Sequence, residues 1–597
     1  MKKLFPYGRV VVDWETDGLS AYDGARPFIC GMEDEAGNVL KYRRGDAGWW
    51  KVKSIFESEK VGKIAHNLKF EKKMAWHEGW NPRGRWWDTM ARAVLVNEYT
   101  PLSLDALSTR YFDAPPKDVV KNWIEANKRR FKKEHGRDPN YSDVPKDLLE
   151  PYLEGDLDRC LKLEWLLGPL VDKDPQLEPL FRMECELASE IAEMEDHGLW
   201  IDVPYVRAML KRFEPELGAL RDKLGSLAGV SFNPNSPAQL SRVLEALGYD
   251  TGDRGKPTEK DPEGLMSTDA ELLELLPPNA FVDTLLRYRT IQKIVSTYLI
   301  PFTQIHGEVL HGSLWQFGKD KAIVTGRLSS SDPNLQNIPG AGSRGITRPL
   351  LRELGPAVRR AIVPPPGHDF LFFDFKQIEM VIFSCQAGDP QVVDFIKKGG
   401  DVYVAHGKLA LGAHAFDGLS GDDYKAKRAS AKELILSFVY GMGIRRFAQK
   451  VNISFQEAKS RRDAYFRNSP ATKRMMLETT RDLLVHGFVR DLFGRKYHVP
   501  RDFAYKAVNA LCQGPAATVM KRGILRMRAL KALGAKPVLT VHDELIVAAP
   551  KNRVREIAEE GKRLMEEPVG VLPVPIKVDV EWSEHNWSDK KKIPGLE

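Results

Sequence analysis

Three ionisable residues in a row, His542, Asp543 and Glu544, stand inside the apolar stretch VLTVHDELIVAAP at Val538–Pro550. An unpaired carboxylate among Val, Leu and Ile is costly, so acids placed there need a compensating partner, for which a bound cation is suited. A hairpin of VLTV and LIVAA with a solvated HDE turn explains the stretch equally well. A second acid follows a similar run: in HDFLFFDFKQIEMVIFSCQAGDP, FLFF reads as a buried strand and the residues from Gln377 onward as a helix, which puts Asp374 at the junction and Glu379 in the first turns. An acid favoured by the helix dipole is the simpler account of Asp374 taken alone. A third set opens the chain. In RVVVDWETDG, Asp13 and Glu15 are two residues apart on a strand and so share one face. Carboxylates that close repel each other unless a cation sits between them, although two acids at a strand end facing water are common. Glu71, with Asn67 and Phe70 in KIAHNLKFEKKM, and the helically spaced Tyr152 and Asp156 in PYLEGDLDRCLKL add a phenol and two more acids. Basic chemistry is concentrated in KRASAKELILSFVYGMG, where Arg428, Lys432, Leu436 and Tyr440 recur every four residues as one helical stripe, while Leu434, Ile435 and Phe438 fall largely on another side.

The elements that must position these groups belong to a large chain. At 597 residues it exceeds one core and predicts several domains. From about Leu177 to Phe302 apolar residues recur at three- and four-residue spacing, which predicts amphipathic helices, interrupted by the loop YDTGDRGKPTEKDPEG. Residues 115–150 read as an insertion rich in Lys, Asp, Asn and Pro. The basic run NKRRFKKEHGR, Asn127–Arg137, reads as a solvated helix face, with phosphate contact as the alternative. A net charge of +7 permits a polyanionic partner without requiring one. Five scattered cysteines, Cys30, Cys160, Cys185, Cys385 and Cys512, lack close metal-type spacing and fit a reducing compartment. No apolar run is long enough to cross a bilayer, and MKKLFPYGRV lacks the features of a secretory signal.

Taken in order, Asp13, Glu15, Glu71, Tyr152 and Asp156 resemble the 3′-5′ proofreading exonuclease domain of A-family DNA polymerases. The resemblance implies that the four carboxylates hold two divalent metals and that Tyr152 positions the attacking water. Glu71 departs from the usual Asp, and a vestigial domain without activity is the alternative. Asp88, in WWDTM, matches a further family position and is expected to be a structural carboxylate.

The second half resembles the polymerase of the same family. TGRLSSSDPNLQNIP, whose composition predicts only a loop, is similar to a motif that contacts primer-template, which assigns Arg327, Gln336 and Asn337 to DNA near the primer end. The resemblance makes Asp374 and Asp543 ligands of two catalytic metals, Mg²⁺ or Mn²⁺, with Glu544 a supporting acid and His542 a primer-end contact. Arg428 and Lys432 would bind the incoming triphosphate, Lys432 also protonating the leaving pyrophosphate. Gln377, Glu379, Leu436, Tyr440 and Tyr403 would complete the deoxynucleotide site, Glu379 crowding the sugar 2′ position. Gly441 and Gly443 would let the helix swing. In AVNALCQGPAATVMKRGI, Asn509 and Gln513 would approach the minor groove. Departures are Phe375-Lys376 where Tyr-Ser is commonest, Tyr403 where many bacterial relatives carry a triphosphate-contacting His for which His406 is a candidate substitute, and Tyr505 in place of an Arg.

The resemblance therefore implies an α/β multidomain chain: an RNase H-like 3′-5′ exonuclease domain at 1–172, thumb and connecting helices at 173–310, palm at 311–390, fingers at 391–500 and the rest of the palm at 501–597. It resembles the large fragment of bacterial DNA polymerase I, of the bacteriophage type. Because the chain begins almost at the first exonuclease strand, no 5′ nuclease domain is expected. Implied partners are primer-template DNA, deoxynucleoside triphosphates and replisome proteins such as a helicase-primase and a single-strand binding protein. A thioredoxin-type processivity factor and a membrane are not expected, and the implied location is the cytoplasm, that of the bacterial host for a viral protein. A nuclease with a DNA-clamp half, a non-catalytic scaffold and a single-subunit RNA polymerase are the rival readings.

Overall fold

The computed structural model describes residues 8–115, 118–257, 264–277, 279–319, 321–338 and 348–596. The start of the chain, part of the Gly/Pro-rich loop, and Pro339, which closes TGRLSSSDPNLQNIP, lie outside them.

Near the N-terminus the strand Arg9–Thr16 lies at the centre of a five-stranded sheet. It pairs antiparallel with Pro27–Asp34, which pairs antiparallel with Val39–Arg43; on its other side it runs parallel to Gly62–Ala65, itself parallel to Trp86–Asp88. A mixed sheet with helices packed on it fits the α/β class the sequence implied. Val10, Val11 and Val12 are all buried, because both faces of the sheet are covered. The long helix Lys146–Asp172 packs Leu157, Cys160 and Leu161 on Val11, while Trp14 on the opposite face meets Phe56 at 4.9 Å and Trp80 at 5.4 Å between ring centroids. The residues read as an insertion fold into the helix Val119–His135, whose Val120, Trp123 and Ile124 pack toward Ile29, Leu149 and Leu153. Its basic run is mostly exposed, as a solvated face should be.

The helices foreseen over Leu177 to Phe302 are present as Leu177–His197, Val203–Ala228, Pro237–Ala246 and Ala280–Ile294. Beyond them an antiparallel sheet runs in the spatial order Lys536–Val541, Glu544–Pro550, His368–Phe375, Val578–Ser583, Lys591–Lys592. In its central strand Phe370 to Phe373 are buried without alternation, so this sheet too is covered on both faces. Gly561 lets the helix Val554–Glu566 close on that strand, since a Cβ there would come within 2.7 Å of the Phe373 ring. A helical lobe inserted between the strands has its own core around Phe438, Phe447 and Tyr465. All five cysteines are free, and no helix among the described residues is long and apolar enough to cross a membrane.

One buried charge ties three distant segments together. Glu184, on Leu177–His197, is 1% exposed and receives hydrogen bonds from Arg495 at 2.5 Å, from Lys521 at 2.8 and 3.0 Å, and from Gln316 at 2.5 Å. Burial alone would raise its pKa, but the Lys521 and Arg495 charges hold the carboxyl below the usual carboxylate range. Truncating one partner of such a cluster strands the others, so Glu184→Ala is expected to destabilise the protein by about 3–5 kcal/mol in urea unfolding at pH 7. Because the folded pKa is depressed, the contribution is present above the normal carboxylate pKa and fades as pH falls through the folded value.

Candidate active sites

In the N-terminal sheet, Asp13 and Glu15 project from the first strand and Asp156 from the helix Lys146–Asp172. Ligand-capable oxygens of all three lie within 4.8 Å of one another. Hard carboxylate oxygens at that spacing suit a divalent cation such as Mg²⁺ or Mn²⁺. Glu71, on the helix Leu68–His77, falls outside this compact trio. It is 2% exposed, its Oε2 has no hydrogen-bond partner, and burial together with the charges of Asp13, Glu15 and Asp88 pushes its pKa well up. Three of the four expected ligands are thus gathered, and the fourth is a buried carboxyl set behind them that retains an unsatisfied oxygen. Tyr152, one turn before Asp156, stays a protonated donor at neutral pH, because burial and the Asp156 charge raise its pKa. Tyr141, from the insertion, hydrogen-bonds Tyr152 and meets its ring edge-on at 6.1 Å. Nothing in the sequence pattern pointed to Tyr141. Asp88 accepts from the backbone amides of Asn67, Leu68, Met90 and Ala91 at 3.2, 3.0, 2.9 and 3.4 Å. It caps a helix and ties two strand ends, a structural carboxylate as expected.

In the second sheet, Val541 pairs with Glu544, leaving His542 and Asp543 as a two-residue turn with His542 in the left-handed region at φ 55°. The Phe375 amide donates to the Asp543 carbonyl at 3.1 Å, and Asp374 pairs in register with Glu544, so the turn is pinned against the end of the central strand. Asp374 keeps contact with solvent yet is crowded by protein. Burial and the charges of Glu544 and Asp543 push its pKa up to about 7. Burial and Glu379 push Asp543 up to about 6, against the pull of Arg327. Glu544 itself is held by Lys590 and by the Trp587 Nε1–H at 3.4 Å. It lines an adjoining cavity of about 320 Å³ with Asp374 and Asp579.

A larger cleft of about 670 Å³ joins Asp374 and Asp543 to Gln377, Tyr403, Arg428 and Lys432. Arg428 and Lys432 lie 5.3 and 5.4 Å from the centroid of the Tyr403 ring, which acts as their platform. Asp401 organises this wall. Its Oδ2 accepts from Arg428 Nε at 2.8 Å and Gln377 Nε2 at 2.7 Å, while Oδ1 caps the helix Val402–Leu411 through the amides of Tyr403 and Val404 at 2.9 and 3.1 Å. The sequence reading missed Asp401; its signal was an Asp directly before a helical pattern. His406 does not substitute for a cleft histidine. It is 1% exposed, wedged between Ser384 Oγ at 2.8 Å and the Tyr465 hydroxyl at 3.1 Å, and burial lowers its pKa to about 4.

Glu379 is gripped from two sides, by an ion pair with Arg327 and by the hydroxyl of Tyr440, which follows directly on the helix Gly421–Val439. Leu436 packs from that helix onto the core of the helical lobe. Gly441 at φ 70° follows Tyr440, and a Cβ there would come within 2.7 Å of Tyr505, so Tyr505 packs on the helix end. Gln336 donates to the Thr540 carbonyl at 3.3 Å and so lies beside the HDE turn, with Asn337 next to it and His542 exposed. Asn509 and Gln513 share the helix Ala507–Met527, and Asn509 Oδ1 is buried without a partner.

Residues 203–589 match DNA polymerase family A. The thermostable DNA polymerase I of Thermus thermophilus is 35% identical over 424 residues, covering 69% of this chain and 48% of that protein. DNA polymerase I of Chloroflexus aurantiacus is 30% identical over 560 residues, covering 90% and 56%. The chain spans about half the length of the curated relatives it matches. A solved structure of the POL domain of Pol1 from M. smegmatis, in complex with DNA primer-template and dNTP, shares the fold with a TM-score of 0.78 at 22% identity over 98% of this chain and 96% of that one.

Raised carboxylate pKa values mean that protons and cations compete for the same oxygens. Mn²⁺ affinity at the Asp374–Asp543 cleft, followed by electron paramagnetic resonance, is expected to fall at least about tenfold per pH unit below pH 7. In metal-free buffer these two groups destabilise the fold above pH 7 and progressively less as the pH drops towards the unfolded carboxylate values. Asp374→Asn is therefore expected to raise the unfolding temperature at pH 8 by about 1–3 °C and to abolish the Mn²⁺-dependent increase expected of the wild type.

Proposed function

Because the chain belongs to DNA polymerase family A, we propose that it is a template-directed DNA polymerase that extends a primer 3′ end with deoxynucleotides and carries a 3′-5′ proofreading exonuclease in its N-terminal part. The observation that carries the reading is one cleft with two converging acids, Asp374 and Asp543, facing two cations, Arg428 and Lys432. Two divalent cations held by those acids would lower the pKa of the primer hydroxyl and offset charge on the transferring phosphate.

The chain's own residues do the rest. Arg428 and Lys432 take the triphosphate, and Arg428 exchanges the Asp401 carboxylate for phosphate oxygens when it does so. Lys432 donates a proton to the departing pyrophosphate. The Tyr403 ring supports Arg428 and Lys432 and Gln377 holds Asp401 through its side-chain amide, while Glu379, fixed by Arg327 and Tyr440, fills the space beside the sugar 2′ carbon. Tyr440 supports the nascent pair. Arg327, Gln336, Asn337, Asn509, Gln513 and His542 face primer and template, and contacts to phosphates make the grip salt-dependent. At the N-terminal site Asp13, Glu15 and Asp156, with Glu71 behind them, would hold the metals for hydrolysis, and Tyr152 would orient the water.

A recessed-end duplex tests both activities. Asp374→Ala is expected to abolish primer extension and leave degradation of the primer 3′ end intact; Asp13→Ala should do the reverse. Normal extension by Asp374→Ala sinks the polymerase assignment, and unchanged degradation by Asp13→Ala sinks the exonuclease one. Leu436 offers no hydroxyl to replace a missing 3′-OH, so the wild type should discriminate against dideoxynucleotides. Leu436→Tyr is expected to relax that preference by about tenfold, the worth of one hydrogen bond, in single-nucleotide incorporation assays.

A further inference from the structure

Lys376 occupies a position where A-family relatives most often carry Ser, and none of the roles above uses it. It lies two residues after Asp374 and lines the same 670 Å³ cleft, as do Lys577 and Lys397. The backbone of this wall is well defined: the Lys376 amide donates to the Lys577 carbonyl at 2.8 Å, so the two lysines leave adjacent strand ends side by side. Lys376 follows directly on the strand His368–Phe375, and Lys577 directly precedes Val578–Ser583.

Their present partners hold them loosely. Lys376 Nζ lies 2.7 Å from Asp579, with the two side chains 42% and 53% exposed, and Lys577 lies 3.2 Å from Glu566 while 62% exposed itself. The Lys376–Asp579 pair, exposed on both sides, contributes little and is readily exchanged for a more highly charged anion, whereas Glu566 is 17% exposed and also accepts from the Val578 amide at 2.9 Å. Lys397 makes no ion pair among the described residues. The cleft thus has two cationic walls, one from the helical lobe through Arg428 and Lys432, the other from the sheet through Lys376 and Lys577, with Asp374 and Asp543 at its floor. A ligand suited to both is a short, multiply charged phosphate chain.

We propose that Lys376, with Lys577 beside it, forms a second phosphate subsite on the sheet side of the cleft, which binds inorganic pyrophosphate as it leaves. This rests on the polymerase reading for its role in turnover, but not for the binding itself. As the primer 3′ oxygen bonds to the α-phosphorus and the bond from that phosphorus to the bridging oxygen of the β-phosphate breaks, the freed pyrophosphate moves from Arg428 and Lys432 toward lysines that must first let go of Asp579 and Glu566. Asp579 is therefore a competitor of the product, and the two partners of the Lys376–Asp579 pair should act in opposite directions.

The test is calorimetric titration of the full chain with magnesium pyrophosphate in the absence of DNA, alongside pyrophosphate inhibition of primer extension. Lys376→Gln is expected to weaken pyrophosphate binding about tenfold, and Asp579→Asn to tighten it severalfold, with unfolding temperatures close to wild type in both. The inhibition constants should move in the same order. Wild-type affinity in Lys376→Gln, or an equal loss in both variants, overturns the proposal, the second result marking the pair as merely structural. Failure of the wild type to extend primers would overturn the polymerase reading instead, while the titration would still decide the subsite.

Discussion

Mutual repulsion between carboxylates is the constraint on which the rest of this structure depends. Asp374 and Asp543 are brought together in one cleft, and Asp13, Glu15 and Asp156 within 4.8 Å where the central strand of another sheet meets the helix Lys146–Asp172. Such groups spread apart or take up protons unless the backbone beneath them is rigid. Rigidity comes from burial: the valines below Asp13 and the phenylalanines below Asp374 belong to central strands covered on both faces.

Counter-charges decide which acids remain available. Lys590 and Trp587 hold Glu544, Arg327 and Tyr440 hold Glu379, and Lys376 holds Asp579, so that the acids around the cleft are engaged while Asp374 and Asp543 are left with raised pKa values. The same logic operates on the opposite wall, where Asp401 occupies Arg428 until a stronger anion arrives. Glu184 does at the scale of lobes what these pairs do locally. By joining Leu177–His197 to Arg495 and Lys521 it fixes the position of the helix Ala507–Met527, which lies behind the central strand. The helical lobe, with its separate core, meets this frame at Gly441 and Tyr505, where a left-handed residue ends the cationic helix.

Much of this was legible locally. Runs such as VVV and FLFF read as buried strands because continuous burial leaves no other pattern, and the helical stripe of Arg428 and Lys432 follows from spacing alone. The HDE stretch proved to be a tight turn that also presents an acid, so the hairpin and the buried charge were one feature. What escaped the reading has a common physical character: Tyr141, Asp401, Lys590 and Glu184 act through partners from 11 to more than 300 residues away, and only Asp401, which also caps the helix after it, carries a local signal. His406 shows the converse. Its type suggested a phosphate contact, but its helix turns it inward against Ser384 and Tyr465.

The sequence by itself determined the order of the elements, the strand and helix identities, and which residue types could bear charge at each sheet edge, because these follow from local periodicity and from the cost of burying polar groups. Only the tertiary structure decided which acids converge and which are neutralised. Glu71 and Asp13 are both acids expected to share one metal site, yet Glu71 is buried outside the compact trio with an unsatisfied oxygen and Asp13 stands within it. That difference lies in distance and dielectric, which depend on how segments far apart in the chain are packed together.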